Sequence, residues 1–145
     1  ETRDIWGLPF VCKLLLCASK PGFMHSTLFK WYSIAQHIQI CLNIHNRLPV
    51  ESNTYFKNDI DSIFCYTRLK NPGQKQEVSH IWYYKNKLLD RIKYNVKSSN
   101  IYRSWTRKTI LKTQVGAWRV DIEDSANNVV GSKSFFIMDS EISPQ

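Results

Sequence analysis

The clearest pattern in the sequence is an alternation of apolar and polar positions between residues 78 and 138. Its first block places His80, Trp82 and Tyr84 on one side of the chain. Because successive side chains of a strand point to opposite faces, this spacing predicts a β-strand rather than a helix. The alternation stops at the polar pair Asn86-Lys87 and then resumes, which predicts that two strands form a hairpin.

The end of the same region predicts a second hairpin. Trp118, Val120 and Ile122 share one face, the polar residues 124–128 form a turn, and residues 129–138 return as a strand. Two tryptophan-bearing strands that lie far apart in sequence favour two sheets closing over one core. We therefore predict that Trp82 and Trp118 are buried on facing sheets.

Further strands are predicted on either side of the first hairpin. Residues 38–44 and 60–69 carry the alternation, Pro49 ends the first of them, and residues 101–112 are an extended segment. The sequence thus predicts an all-β fold, an immunoglobulin-like antiparallel β-sandwich of about seven strands over residues 37–139.

The remaining residues predict an N-terminal extension and a short tail. Residues 1–36 fit no single period and are predicted to be a partly irregular or helical extension, and residues 140–145 a polar tail. Aromatic side chains that follow no regular period favour docking of this extension on the sandwich or on a neighbouring subunit, and we favour the neighbouring subunit. The candidate partner-binding residues are Trp6, Phe10, Phe29 and Trp31.

Composition adds a size and a charge to this picture. The chain has 145 residues, 43% of them hydrophobic and 13% aromatic, which suits one folded domain with a substantial core. The formal net charge is +8. A basic balance favours an acidic partner such as lipid head groups or an anionic glycan, and a simply solvated basic surface is the equal alternative.

The cysteines offer one candidate disulfide. Cys12, Cys17, Cys41 and Cys65 contain no C-x-x-C pair, so their spacing predicts no zinc module. Cys41 and Cys65 fall in neighbouring predicted strands and are the candidate pair in an oxidising compartment. The alternative, that both are small buried apolar residues, carries equal weight.

Three segments carry a resemblance to a known family. They are H-x-W-x-Y-K-N-K from His80, Y-R-S-W-T-x-K from Tyr102, and G-x-W-R-V-x-I-x-D from Gly116, followed by a closing F-F-I. Over about residues 38–138 the chain resembles the bacterial cell-envelope domain-of-unknown-function family 2914. It departs at Thr106, where the family usually has serine. The resemblance implies an immunoglobulin-like sandwich in the cell envelope and no established activity.

The sequence offers no catalytic signature. It lacks the hydrolase elbow and the phosphate-binding loops, and its histidines have no metal-binding spacing, so we predict neither an enzyme nor a cofactor or metal site. Asp90, Asp121, Glu123 and Asp124 are more simply a solvated strand face than a catalytic carboxylate pair.

One group on the matching segments is a candidate ligand site. His80, Arg103 and Trp118 supply an imidazole, a cation and an indole, which suit a sugar or a carboxylate. The favoured alternative is structural, with Trp82 and Trp118 in the core and His80 and Arg103 bonded to backbone carbonyls at a sheet edge. A stacking platform for nucleic acid, built from tyrosines and Trp105, is disfavoured because no recognition signature accompanies it.

These observations predict a non-catalytic structural or interaction module of the bacterial envelope, in the periplasm or associated with the outer membrane. Its expected partners are other envelope proteins in a larger assembly, a secretion machine being one candidate. Anionic glycans or lipid head groups are further expected ligands. The alternative is a carbohydrate-binding module for peptidoglycan or another envelope glycan.

Overall fold

The structure is a computed structural model that describes residues 34–141. Nine β-strands occur in this part of the chain. They are β1 (Ile34–His45), β2 (Leu48–Ser52), β3 (Tyr55–Lys57), β4 (Ser62–Asn71), β5 (Gln76–Tyr84), β6 (Lys87–Val96), β7 (Ser99–Thr109), β8 (Gly116–Glu123) and β9 (Val129–Met138). No helix between residues 34 and 141 has the length and hydropathy needed to cross a membrane.

The strands form two sheets. One has four strands in the order β2-β1-β4-β7, and the other has five in the order β3-β9-β8-β5-β6. All pairs are antiparallel except β3 with β9, which run parallel. Without the short β2 and β3, seven strands pair as β1-β4-β7 and β9-β8-β5-β6, an immunoglobulin-like arrangement. The predicted all-β sandwich is confirmed.

The two extra strands lie where sequence patterns are weakest. β2 follows β1 through a two-residue turn, Asn46-Arg47, in which both residues have positive φ values of 48° and 61°. This turn geometry suits a tight hairpin. β2 contains Pro49, and Glu51 has a φ of 58°, so its alternation is broken. β3 has three residues, which is too short for any period to register.

The core lies between the sheets and contains both predicted tryptophans. Trp82 is 0% exposed and Trp118 is 2% exposed, so their burial is confirmed. Phe135 of β9 meets Trp82 edge-on at 6.4 Å between ring centroids and stacks on Trp118 at 5.8 Å. The prediction that they lie on facing sheets is wrong, because β5 and β8 are hydrogen-bonded neighbours in one sheet.

Candidate functional site

The three residues of the predicted ligand site do not come together. His80 lies on the inner face of β5 and is 0% exposed. Trp118 lies opposite Tyr84, four residues further along β5, which is about 13 Å at the rise of a strand. Arg103 lies on β7, opposite Arg68, on the face of the four-stranded sheet that points away from the core. The structure therefore offers no single site that all three could line.

His80 instead centres a buried network of hydroxyl groups. Its Nδ1 atom lies 2.8 Å from Oγ1 of Thr106, and its Nε2 atom lies 2.8 Å from the hydroxyl of Tyr94. Ser104 Oγ lies 2.9 Å from the Tyr94 hydroxyl and 2.7 Å from Thr67 Oγ1. The network joins β5 and β6 of one sheet to β4 and β7 of the other.

Burial holds this network in its neutral state. It lowers the pKa of His80 from 6.5 to about 3, because a charged imidazole would lose its hydration. The pKa of Tyr94 is raised to about 12, chiefly by burial and partly offset by hydrogen bonds from Ser104 and Thr67. His80 is bonded to side-chain hydroxyls rather than to the backbone carbonyls that the structural alternative had assumed.

Thr106 explains the departure from the family pattern noted in the sequence. Its hydroxyl is the partner of His80 Nδ1, and Thr106 is 6% exposed. Serine carries a hydroxyl on the same β-carbon, so either residue can bond the imidazole at this position. The motif Y-R-S-W-T-x-K is accordingly a structural one at Ser104 and Thr106, which alternate inward with Arg103 and Trp105 outward.

The predicted disulfide is absent from the structure. Cys41 and Cys65 are both free thiols and both buried. Cys41 lies opposite Phe64 and Cys65 lies opposite Ile40, so the two side chains point to opposite faces of the sheet. Burial raises the pKa of Cys41 to about 11 and raises that of Cys65 further, which keeps both as unreactive thiols.

The carboxylates of β8 are not a solvated face, contrary to the sequence prediction. Asp121 and Glu123 are 9% and 8% exposed. Asp121 accepts hydrogen bonds from Arg119 Nε at 3.0 Å and from the Ser132 hydroxyl at 2.7 Å. Glu123 pairs with Arg91 at 3.5 Å. These contacts make the two acids structural parts of the sheet's outer surface.

The surface contains a groove that sequence analysis missed. It has a volume of about 340 Å³ and crosses the outer face of the five-stranded sheet, and we call it the outer groove. Two exposed aromatic rings form one wall, Tyr55 and Phe136, 6.4 Å apart and tilted by 50°. Ala117 forms the floor, and Asn86 and Arg119 border the other side.

The outer groove is shaped by cross-strand pairing. Phe136 pairs with Tyr55 of β3 on one side and with Ala117 of β8 on the other. Two large rings therefore stand beside one small side chain. Arg119 is fixed opposite: it donates to Asn86 Oδ1 at 3.2 Å, and its guanidinium lies 4.4 Å from the centre of the Tyr83 ring. The groove is therefore preformed, with an apolar wall and a polar wall.

Other predicted residues fall outside these sites. Trp6, Phe10, Phe29 and Trp31 lie beyond the residues that the structure describes, as do the rest of residues 1–33 and residues 142–145 of the tail. Residues 34–36, predicted as part of the extension, belong to β1. The aromatics considered for nucleic acid are divided between surfaces: Tyr83 on one outer face, Trp105 on the other and Tyr94 inside. Between residues 34 and 141 no cluster of three potential metal ligands occurs.

Comparison with known proteins identifies one family. The model of the family described as Protein of unknown function (DUF2914) matches residues 75–137. The resemblance seen in the sequence is confirmed over this range. No curated protein matches the chain.

The region similar to DUF2914 runs from the start of β5 almost to the end of β9. It contains His80, Thr106 and Trp118, and all of the outer groove except Thr54 and Tyr55. The segment over β1 to β4 lies outside the matched range. One signal for the groove did exist in the sequence: in the closing F-F-I, alternation forces one of the two phenylalanines outward.

Proposed function

We propose that this domain is a non-catalytic interaction module whose binding surface is the outer groove. The observation that carries the proposal is the pair of exposed rings, with Tyr55 59% and Phe136 40% exposed beside an alanine floor. Aromatic side chains bury a large area for little loss of rotamer freedom, so they dominate binding surfaces. A concave surface with an apolar wall and a few fixed polar groups is a typical binding site.

The chemistry of the interior supports a binding role rather than catalysis. The groups whose pKa values are strongly shifted are His80, Tyr94, Cys41 and Cys65, and a shifted group at an active site must reach substrate. Here His80 and Cys65 are 0% exposed and hydrogen-bonded or packed in the core. Their perturbation follows from burial in a structural network.

We place this module in the bacterial envelope, in the periplasm or at the outer membrane, as the resemblance to DUF2914 implied. The proposed partners are other envelope proteins, with the domain serving as one subunit of a larger assembly such as a secretion machine.

A carbohydrate-binding module for peptidoglycan or another envelope glycan is the second candidate. It is favoured by the polar wall: Asn86 and Arg119 are planar groups fixed opposite two aromatic rings. A sugar ring has apolar faces that stack on aromatic rings and hydroxyl edges that hydrogen-bond to amide and guanidinium groups. A groove of about 340 Å³ accommodates a short stretch of glycan.

Filling the groove floor tests the proposal. In the full chain, Ala117→Trp should place a large ring in the groove without disturbing the core, because the Ala117 side chain is exposed. We expect binding to isolated envelope proteins, or to peptidoglycan in a sedimentation assay, to fall at least about tenfold while the melting temperature is retained.

The control is Leu111→Trp, which adds a similar ring at a position that is 57% exposed and outside the groove. The control should bind like the unchanged protein. Loss of protein binding supports the interaction module, and loss of peptidoglycan binding supports the glycan module. Full binding to both by Ala117→Trp would exclude the groove as the binding surface.

A further inference from the structure

Charge is distributed unequally between the two sheets. Strands β1, β4 and β7 contain no aspartate or glutamate, and Glu51 of β2 is the sole acid in the four-stranded sheet. The outer face of that sheet carries three arginines, Arg68 on β4 and Arg103 and Arg107 on β7. This face is therefore basic without compensation from its own strands.

The register sets two of these arginines against each other. Arg68 lies directly opposite Arg103 on β7 and directly opposite His37 on β1, so the three side chains form one row across the sheet. Both arginines are half-buried. Like charges directly opposite each other on neighbouring strands destabilise a sheet. Among residues 34–141 no acid pairs with either arginine, so the repulsion in this row is not offset within that part of the chain.

The hydrogen bonding of the row is also incomplete. The Nε atoms of Arg68 and Arg103 are buried, and neither has a hydrogen-bond partner among residues 34–141. The four ion pairs between described residues all use acids of β5, β6 and β8. Arg107, on the same face, differs because its Nε donates to the Ser62 hydroxyl at 3.0 Å. The unpartnered Nε atoms therefore belong to the row of Arg68 and Arg103 and not to every arginine of the basic face.

We propose that Arg68 and Arg103 bind a phosphate group between them, with His37 at the end of the row. Two opposed guanidinium forks supply more donors than a carboxylate with two oxygens can accept, whereas a phosphate group presents three or four oxygens. Neutralising both cations with one dianion removes their repulsion. The phosphate belongs to a lipid head group or to a phosphorylated saccharide.

This site is independent of the outer groove, because it lies on the other sheet. It keeps Arg103 as an anion-binding residue, as its chemistry suggested, but replaces His80 and Trp118 by Arg68 and His37. Trp105 lies next to Arg103 on the same face, 39% exposed, where it can contact the group that carries the phosphate.

Thermal unfolding of the full chain in inorganic phosphate tests the site. We expect about 10 mM phosphate to raise the melting temperature by a few degrees relative to chloride at equal ionic strength, since a ligand that binds only the native state stabilises it. Arg68→Gln and Arg103→Gln should each abolish this shift. Arg107→Gln removes an equal charge from the same face and should keep it.

A second readout separates binding from folding defects. In chloride alone, Arg103→Gln should be at least as stable as the unchanged protein, because it removes one of two opposed charges. A lower melting temperature would show that Arg103 has a stabilising partner and would overturn the proposal. No phosphate-dependent shift, or an equal loss in Arg107→Gln, would overturn it too, the latter indicating a diffuse basic face.

The source of the phosphate is distinguished by two probes. Sedimentation with phosphatidic acid vesicles, whose head group is a phosphate monoester, should be lost in Arg103→Gln and absent with phosphatidylcholine, and this result assigns a lipid head group. A melting shift with glucose 1-phosphate but no vesicle binding assigns a phosphorylated saccharide. Neither result depends on the groove, so Ala117→Trp should behave like the unchanged protein in both assays.

Discussion

At the scale of single residues, His80 shows how far a motif can mislead about function. Its place in a shared H-x-W pattern invites a ligand-binding role, yet alternation already puts it on the face of Trp82, which is the core face. What the sequence does not contain is the identity of its partners. Tyr94, 14 residues away, meets it across the β5–β6 hairpin. Thr67 and Thr106, 13 and 26 residues away, meet it only because two sheets close.

The depressed pKa of His80 predicts a pH dependence. Below pH 6.5 the unfolded chain takes up a proton at this histidine, and the folded protein does not until about pH 3. The free energy of unfolding should therefore fall as pH drops through this window, by about 1.4 kcal/mol per pH unit from this group.

Urea unfolding of the protein and of His80→Gln between pH 7 and pH 4 measures this contribution, because other titrating groups are common to both. At pH 7 the variant should be less stable, since it disrupts a buried network. The difference should shrink as pH falls. Parallel curves would mean that His80 is not held neutral by the fold.

At the scale of strands and turns, local pattern predicted hairpins but not sheet membership. Positive φ values at Lys85 and Asn86 close the β5–β6 hairpin, as the polar break indicated. Trp82 and Trp118 were assigned to facing sheets because nothing in a strand's own alternation states which strand it will pair with. Which strands become neighbours depends on where the chain crosses from one sheet to the other, and that is set by contacts between residues far apart in sequence.

The β8–β9 turn depends on one buried carboxylate. Asp124 Oδ1 accepts hydrogen bonds from the backbone N–H groups of Ala126 at 2.8 Å and Asn128 at 2.9 Å, and Asp124 is 4% exposed. Asn127 follows in the left-handed region with a φ of 62°. The Asp124 carboxylate thus accepts hydrogen bonds from the backbone of the turn, as aspartate side chains commonly do.

Asp124→Ala should reduce the free energy of unfolding by about 1–3 kcal/mol, because two partly buried N–H groups lose their acceptor. Asp61→Ala, at an exposed aspartate in another loop, is the matched control and should cost less than about 0.5 kcal/mol. Chemical denaturation at pH 7 measures both. Equal effects would show that the Asp124 carboxylate does not hold the turn.

At the scale of the whole molecule, the proposed binding surfaces are ones that sequence periodicity does not describe. The outer groove joins Ala117 and Phe136 of the β8–β9 hairpin to Tyr55 of β3, which is distant in sequence and too short to predict. The composition predicted a basic surface, but the separation of charge between sheets appears only once β1, β4 and β7 are seen to be neighbours.

The proposed binding function requires that the partner contacts the outer groove. Site-specific photo-crosslinking tests it most directly, with the crosslinking residue placed at Phe136 in the groove, and at Val129 or Ile101 as exposed controls outside it. In envelope preparations, the Phe136 position should give a discrete crosslinked product that Ala117→Trp suppresses, and the controls should not. Crosslinks at the control positions, with none at Phe136, would show that the partner binds outside the outer groove.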